Sequence, residues 1–370
     1  MRRYFLFLML LAGLASAPAR GQTFSIDVNS PEVVVGSEQP GNLYIPAAAF
    51  GPVVPPVVPP AVLNLNMTGE LDALSFGRAL NTFSTSAAVV FSLDRGSAGV
   101  AGTASSNEFN SGGGVSEQSS DVFHSKLAGT NTLFADGDGV VQAGNPNPAA
   151  FPLGTGEFPT YPFPPGPPPA VGGADLDAFD LRANLFGPGS PTGRMFFSLD
   201  SLSASPFSGG DVLVDPTGGG GLSNLYANEF SLGILPIPFL PGSNDLDALV
   251  VYDDGDNSFA AGLDIVLFSL APGSTYLGQS DPLTGVAIEA GDVLIDAASA
   301  QAILGTPFGT GAAILHTAES LGLRTMRAGF QSSDNLNALD VVPEPASVTL
   351  LVLGGLAATL RRFKRSNMAR

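Results

Sequence analysis

The 370-residue chain has no cysteine and no tryptophan, and its only histidines are His124 and His316. Without cysteine there is no disulfide framework, no thiolate metal site and no cysteine nucleophile. Neither histidine has a second metal-ligating residue at a typical spacing, and no serine stands in a Gly-x-Ser-x-Gly turn. The sequence therefore lacks the common signatures of cysteine-, serine- and zinc-dependent enzymes, which favours a non-catalytic protein.

Basic residues are also scarce, with 15 Lys and Arg against 33 Asp and Glu. Eight of the basic residues lie in the segments 1–21 and 342–370. The body between them keeps 7 basic and 32 acidic residues, a formal charge of about −25. Because binding to phosphates requires a basic surface, this charge excludes a nucleic-acid-binding protein. It suits solubility and association with divalent cations.

Glycine and proline are abundant, at 46 and 31 residues, and 25 phenylalanines stand in short apolar runs between turn residues. This pattern predicts an all-β protein. Only residues 297–304 and 311–323 have a helical pattern. The Pro-rich inserts 46–60 and 144–173 and the Gly/Ser stretch 96–120 are predicted to be long loops.

The body contains a repeat of four elements. The first is an acidic-apolar piece with four copies: Glu70–Leu74, Asp175–Phe179, Asp245–Leu249 and Asn335–Leu339. The second is Phe-Ser-Leu, which begins 19, 20 and 21 residues after the central residue of the first three copies, at Phe91, Phe197 and Phe268. The third is an Asp-Val strand, at Asp121–Phe123, Asp211–Val214 and Asp292–Ile295, and the fourth is looser, as in Asn224–Gly233.

The N-terminal unit lacks the first element, and the C-terminus has one to spare. Phe24–Asp27, Glu32–Val35 and Asn42–Tyr44 match the second, third and fourth elements. We therefore expect four four-stranded units that close into a β-propeller, because a blade shared by the two ends leaves no free strand edge. Residues 24–45 and 335–341 should then lie in one sheet. A β-sandwich is the alternative.

The central residues of the first element are Asp72, Asp177, Asp247 and, in the fourth copy, Asn337. The expected role is structural, with each side chain accepting hydrogen bonds from an adjacent turn. The alternative is that they line the axis of the ring together and bind a cation. The asparagine in the fourth copy favours a hydrogen-bonding role over one that depends on charge.

One acidic loop is a candidate calcium site, formed by Asp253, Asp254, Asp256 and Asn257 around Gly255. Calcium prefers six to eight oxygen ligands, which such a loop can supply in part. The EF-hand pattern is absent, and acidic glycine turns are also common in β-hairpins. The segment Asp136–Gly139 is a weaker candidate of the same kind.

Residues 1–21 have the pattern of a secretory signal peptide. Arg2 and Arg3 precede the apolar run 4–14, and small residues follow, with cleavage expected after Ala19 or Gly21. Signal peptidase is therefore an expected partner.

The C-terminal tail has three parts: Val342, Pro343, Glu344 and Pro345; the apolar run 346–360; and the basic residues Arg361, Arg362, Lys364 and Arg365. The apolar run predicts a short transmembrane helix, with the basic cluster on the cytoplasmic side. This order of features resembles the PEP-CTERM sorting signal of exported bacterial proteins. The resemblance implies recognition by an exosortase, cleavage near Pro343-Glu344-Pro345, and delivery to the cell surface or extracellular matrix.

The sequence thus predicts a signal peptide (1–21), an all-β extracellular domain (22–341) and a sorting tail (342–370). The expected function is a non-catalytic structural or interaction role at the cell surface. The alternatives are an exopolysaccharide-binding module, for which tryptophan is lacking, and a polysaccharide-active enzyme.

Overall fold

The structure is a computed structural model, and most of the repeat-bearing body is described in it. The described residues are 22–27, 29–30, 39–40, 42–44, 56–65, 69–75, 89–94, 97, 99–111, 117–125, 131–137, 151–152, 175–182, 194–201, 203, 207–215, 223–234, 244–307 and 309–341. None of the helices in these ranges is both long and apolar enough to cross a membrane. The predicted signal peptide 1–21 and the predicted transmembrane helix 346–360 lie outside them.

Seventeen described strands form four small sheets, arranged like the blades of a four-bladed β-propeller. Blade 1 contains β17 (Leu336–Val341), β1 (Gln22–Ile26), β2 (Leu43–Tyr44) and β3 (Pro56–Val58). Blade 2 contains β4 (Leu71–Ser75), β5 (Val89–Leu93), β6 (Val122–Ser125), β7 (Asn131–Asp136) and β8 (Phe151–Pro152). Blade 3 contains β9 (Ala178–Arg182), β10 (Arg194–Ser198), β11 (Val212–Asp215) and β12 (Asn224–Ala227). Blade 4 contains β13 (Leu246–Tyr252), β14 (Ile265–Leu270), β15 (Val293–Ile295) and β16 (Ala313–His316).

Neighbouring strands within a blade are antiparallel, except for the parallel pair β7 and β8 at the edge of blade 2. The predicted closure of the ring is confirmed, because β1 pairs with β17 from Gln22 opposite Val341 to Ile26 opposite Leu336. The two ends of the repeat region, more than 300 residues apart, therefore share blade 1, and Gln22–Ile26, Leu43–Tyr44 and Leu336–Val341 lie in one sheet as expected.

The assignment of strands within blade 1 differs from the prediction. Leu43–Tyr44, predicted as the fourth element, pairs directly with β1. The strand at the fourth position is Pro56–Val58, from the insert predicted to be a loop. Its proline is tolerated because it begins a strand at the edge of the sheet. Glu32–Val35 lies outside the described residues.

The described helices are short. They are α1 (Pro60–Leu63), α2 (Ala104–Ser111), α3 (Glu229–Leu232), α4 (Ala297–Ser299) and α5 (Ala318–Leu321), with a 3-10 turn at Glu117–Ser120 and a π-type turn at Ala300–Leu304. The helical prediction for 297–304 is confirmed.

Two of the sequence predictions for local structure are wrong. Residues 311–323 contain the strand β16 and one helical turn, since an apolar run of four residues suits a buried strand as well as a helix. The stretch 96–120, predicted to be a loop, contains α2 and the 3-10 turn. Ser105 and Ser106 of α2 are buried there, and Asn131 accepts a hydrogen bond from the Ser105 backbone.

Apolar side chains form four clusters, one between each pair of adjacent blades. Phe91 and Leu74 of blade 2 pack with Ala338 of blade 1, and Phe197 of blade 3 packs with Val90 of blade 2. The other two clusters join blade 3 to blade 4 and blade 4 to blade 1. Because successive side chains of a strand point to opposite faces, each sheet packs on two neighbours at once. This packing corresponds to a propeller rather than to two facing sheets.

Candidate functional site

The innermost strand of each blade carries the first element of the repeat. These strands, β4, β9, β13 and β17, surround the axis of the ring, and each contacts the next one around it. Cα atoms of opposite inner strands also come within 8 Å of each other, so the centre of the ring is narrow. Side chains that leave these strands toward the axis therefore converge on one small region.

The serine of each Phe-Ser-Leu element joins its blade to the next. In every copy the Oγ–H donates to the backbone carbonyl of the first leucine in the next copy of the first repeat element: Ser25 to Leu71 (3.2 Å), Ser92 to Leu176 (3.1 Å), Ser198 to Leu246 (3.2 Å) and Ser269 to Leu336 (2.8 Å). The fourth bond returns to blade 1, so the four form a closed cycle around the axis.

A second serine recurs six residues after each phenylalanine of this element. Its Oγ accepts a hydrogen bond from the backbone N–H of the first residue of an inner-strand element: Glu70 to Ser97, Asp175 to Ser203, Asp245 to Ser274 and Asn335 to Ser30. The repeat is therefore longer than its apolar pattern indicated. An alignment of the four copies beyond Phe-Ser-Leu would have identified this serine from the sequence.

The central residue of the first element occupies a β-bulge in three blades. The pairing of the inner strand with its neighbour skips Asp72, Asp247 and Asn337, and Asp177 directly precedes β9. A bulged residue has no direct partner across the ladder, and the bulge changes the direction of its side chain. The leucines on either side can therefore point into the apolar clusters. The side chain of the central polar residue is free of the usual alternation between the two faces of the strand.

The three aspartates share one electrostatic environment. Burial raises the pKa of Asp72, Asp177 and Asp247 well above the usual range, and the negative charge of nearby carboxylates raises it further. Asp72 and Asp247 are among the charges that act on Asp177. The three side chains are therefore close enough to one another for their charges to interact.

Each junction between two blades presents three equivalent positions: the bulge residue, the residue after Phe-Ser-Leu, and the first residue of the next inner element. From the junction of blades 2 and 3 onward they are Asp72, Asp94 and Asp175; Asp177, Asp200 and Asp245; Asp247, Ala271 and Asn335; and Asn337, Asp27 and Glu70. Two junctions thus have three carboxylates, and two contain an amide.

At the amide-containing junctions, asparagine side chains donate to the carboxylates. Asn337 Nδ2 donates to Glu70 Oε1 at 2.9 Å, and Asn335 Nδ2 donates to Asp27 Oδ2 at 3.2 Å. Asn335 also lowers the pKa of Asp247, which opposes the rise caused by burial. Neutral donors therefore compensate the negative charge on this side of the axis.

At the junction of blades 3 and 4, Asp245 accepts the backbone N–H of Ser201 at 3.2 Å. Burial and the charge of Asp200 raise the pKa of Asp245 to about 6, and interactions with Ser201 and Asp177 oppose this rise. Burial raises the pKa of Asp177 as well, and the charge of Asp245 raises it further.

At the junction of blades 2 and 3, three carboxylates converge without an amide. One oxygen each from Asp72, Asp94 and Asp175 lies within 4.8 Å of the other two. Asp72 is 7% exposed and Asp175 3% exposed, whereas Asp94 is half-buried. Oδ2 of Asp72 is buried and has no hydrogen-bond partner among the described residues. This group has the composition of a site for a hard cation.

The acidic loop predicted as a calcium site also brings carboxylates together, in the connection between β13 and β14 of blade 4. Oxygens of Asp253, Asp254 and Asp256 lie within 4.8 Å of one another. Arg194 of blade 3, however, forms an ion pair with Asp253 and donates to the carbonyl of Gly255. The Asp253 and Asp256 side chains also accept backbone N–H groups two residues ahead, as in ordinary turns. The loop therefore already has a positive charge next to Asp253.

Other predicted site residues do not join either cluster. Asp138 and Gly139 of the weaker loop lie outside the described residues, as do the sorting residues 342–345 and the basic residues 361–365. His124 lies within β6 and His316 ends β16, and both are half-buried. The exposed large aromatic side chains in the described part are Phe230 and Phe330.

Comparisons with known proteins provide no relative from which to transfer a role to these residues. No family model matches the chain, and the searches of curated proteins and of solved structures found no significant match.

Proposed function

We propose that the chain is an exported protein of the cell surface or extracellular matrix, with a non-catalytic structural or interaction role, and that an exosortase processes its tail. One observation carries this proposal. Gln22 and Val341 lie opposite each other in blade 1, so the segments 1–21 and 342–370 join the propeller at the same point.

This position of the ends suits export followed by sorting. A signal peptide and a C-terminal membrane segment that leave the fold together can both be attached to one membrane, with all four blades on its outer side. Closure requires β17, and the sorting motif begins at the residue after it. The ring can therefore close as soon as the chain up to the sorting motif has crossed the membrane.

The structural role is supported by what the recurrent polar residues do. The two serines of each repeat hold inner strands in place. The aspartate before the third strand fixes turns: Asp211 accepts the backbone N–H groups of Ser208 and Glu229, and Asp292 accepts those of Glu289 and Ala318. The residues that define the repeat thus serve to build and close the ring.

The sorting part of the proposal is tested by replacing Pro343, Glu344 and Pro345 with alanine in the full chain. We expect this variant to be exported but to stay uncleaved in the inner membrane, because the exosortase recognises the replaced residues. Cell fractionation and the mass of the mature protein measure the outcome. The matched control replaces Pro167, Pro168 and Pro169 with alanine, and should be processed normally. A tail variant found processed at the surface or in the medium would refute the assignment.

A further inference from the structure

We propose that the junction of blades 2 and 3 is a calcium site, in which Asp72, Asp94 and Asp175 bind one ion that joins the two blades near the axis. Three segments far apart in sequence supply these ligands: the bulge of β4, the residue after β5 and a residue just before β9. The site is independent of the proposed export and sorting.

The first argument is the buried oxygen that lacks a partner. Asp72 is more than nine-tenths buried, its Oδ2 has no hydrogen-bond partner among the described residues, and one of its carboxylate oxygens belongs to the three-oxygen cluster. A buried carboxylate oxygen without a partner is unfavourable unless it is paired or binds a metal ion. The carboxylates of Asp175, Asp94, Glu70 and Asp247 add negative charge around Asp72. A bound cation would give this oxygen a partner and compensate the negative charge.

The second argument is the comparison with the other junctions of the same molecule. Where blade 1 takes part, asparagine amides donate to the neighbouring carboxylates. At the junction of blades 2 and 3, the three equivalent positions are all carboxylates, Asp72, Asp94 and Asp175, and one oxygen of each lies within 4.8 Å of the other two. A divalent ion there would compensate negative charge, as the amides do where blade 1 takes part.

The third argument concerns the identity of the ion. All three ligands are carboxylate oxygens, and hard cations such as calcium and magnesium prefer oxygen. Magnesium requires a near-ideal octahedral geometry and usually keeps several waters, whereas calcium accepts flexible arrangements of protein oxygens. Three carboxylates from separate segments of the chain, with one oxygen of each within 4.8 Å of the other two, therefore suit calcium better.

The test is calorimetric titration of calcium chloride into the purified full chain after removal of metal with EDTA, together with thermal melts. The wild-type chain should bind calcium and melt at a higher temperature in calcium than in EDTA. Asp72→Asn should weaken binding by at least about tenfold, because calcium affinity depends on the number of charged ligands. In EDTA this variant should melt at or above the wild-type midpoint, since it removes one carboxylate from an acidic cluster. Asn337 at the equivalent bulge shows that the fold accommodates asparagine there.

Two further variants make the result decisive. Asp94→Asn alters a half-buried ligand and should cause the same loss of affinity, so it decides the question if Asp72→Asn does not fold. Asp253→Asn, in the acidic loop of blade 4, should leave the tight binding unchanged. The proposal is overturned if the wild-type chain binds no calcium, if Asp94→Asn binds it as tightly as the wild type, if Asp253→Asn abolishes binding, or if magnesium binds equally well.

Discussion

At the residue scale, the polar positions of the repeat separate into two kinds. The serines, and aspartates such as Asp211, make the same hydrogen bonds from blade to blade, so their recurrence follows from the architecture. The positions around the axis do not behave alike, because some copies have amides and others carboxylates. The recurrence of Asp72, Asp177 and Asp247 was visible in the sequence. The difference between their junctions was not, since it depends on which residues the bulges bring together.

The serine cycle gives a prediction for a single residue. Ser92→Ala removes the donor to the carbonyl of Leu176 and leaves a buried acceptor without its bond, so we expect a loss of about 1–3 kcal/mol in the free energy of unfolding. Urea denaturation measures the loss. Ser332→Ala, at an exposed position, is the control and should change stability by less than about 0.5 kcal/mol. Equal stability of the two variants would show that the inter-blade bond contributes nothing.

At the scale of single elements, the sequence predicted strands better than the segments between them. Phe91, Phe197 and Phe268 all lie in β-strands, and the serine that follows each of them belongs to the same strand. The predictions for 96–120 and 311–323 were wrong because glycine content and short apolar runs do not distinguish a loop, a helix and a buried strand. In both places, buried contacts with neighbouring strands determine the local structure.

The acidic loop of blade 4 gives a prediction at this scale. The Asp253 side chain is 2% exposed and Arg194 is its ion-pair partner. Arg194→Ala should therefore destabilise the protein by about 1–3 kcal/mol, less than for a fully buried pair because the Arg194 side chain is 25% exposed. If the loop is also the weak calcium site that its sequence predicts, excess calcium should restore part of the loss by taking the place of the guanidinium.

Thermal melts in EDTA and in calcium measure both effects, and the Asp72→Asn background removes the contribution of the calcium site proposed at the junction of blades 2 and 3. Arg194→Lys is the matched control, since it keeps the charge and should lose less stability. Identical melting midpoints of the Arg194→Ala protein in EDTA and in calcium would show that calcium does not stabilise the loop. The loop of the wild-type protein would then be a turn that Arg194 holds in place.

At the scale of the whole molecule, the unequal ends of the repeat were the most informative feature of the sequence. The N-terminal unit, which begins at Phe24, lacks a first element, and the C-terminus has a spare copy that begins at Asn335. This predicted the shared blade, because the strands at the two ends find a partner only if the ring closes. Strand order within blade 1 was not predictable in the same way. The third strand of this blade is Leu43–Tyr44, which pairs with β1. The repeat pattern does not specify the length of the connection between β1 and the strand that pairs with it.

Closure is the central claim, and the natural absence of cysteine allows a direct test of it. Thr23 of β1 lies opposite Asp340 of β17, and opposite residues of antiparallel strands have Cβ atoms about 4.5–5.5 Å apart, near the range of a disulfide. The measurement is disulfide formation in the Thr23→Cys, Asp340→Cys double variant under mild oxidation, followed by non-reducing electrophoresis and peptide mass analysis. We predict rapid intramolecular cross-linking in this protein and little in the Thr23→Cys, Ser332→Cys control. Equal yields in the two proteins, or no cross-link between positions 23 and 340 in the folded chain, would contradict the closed ring.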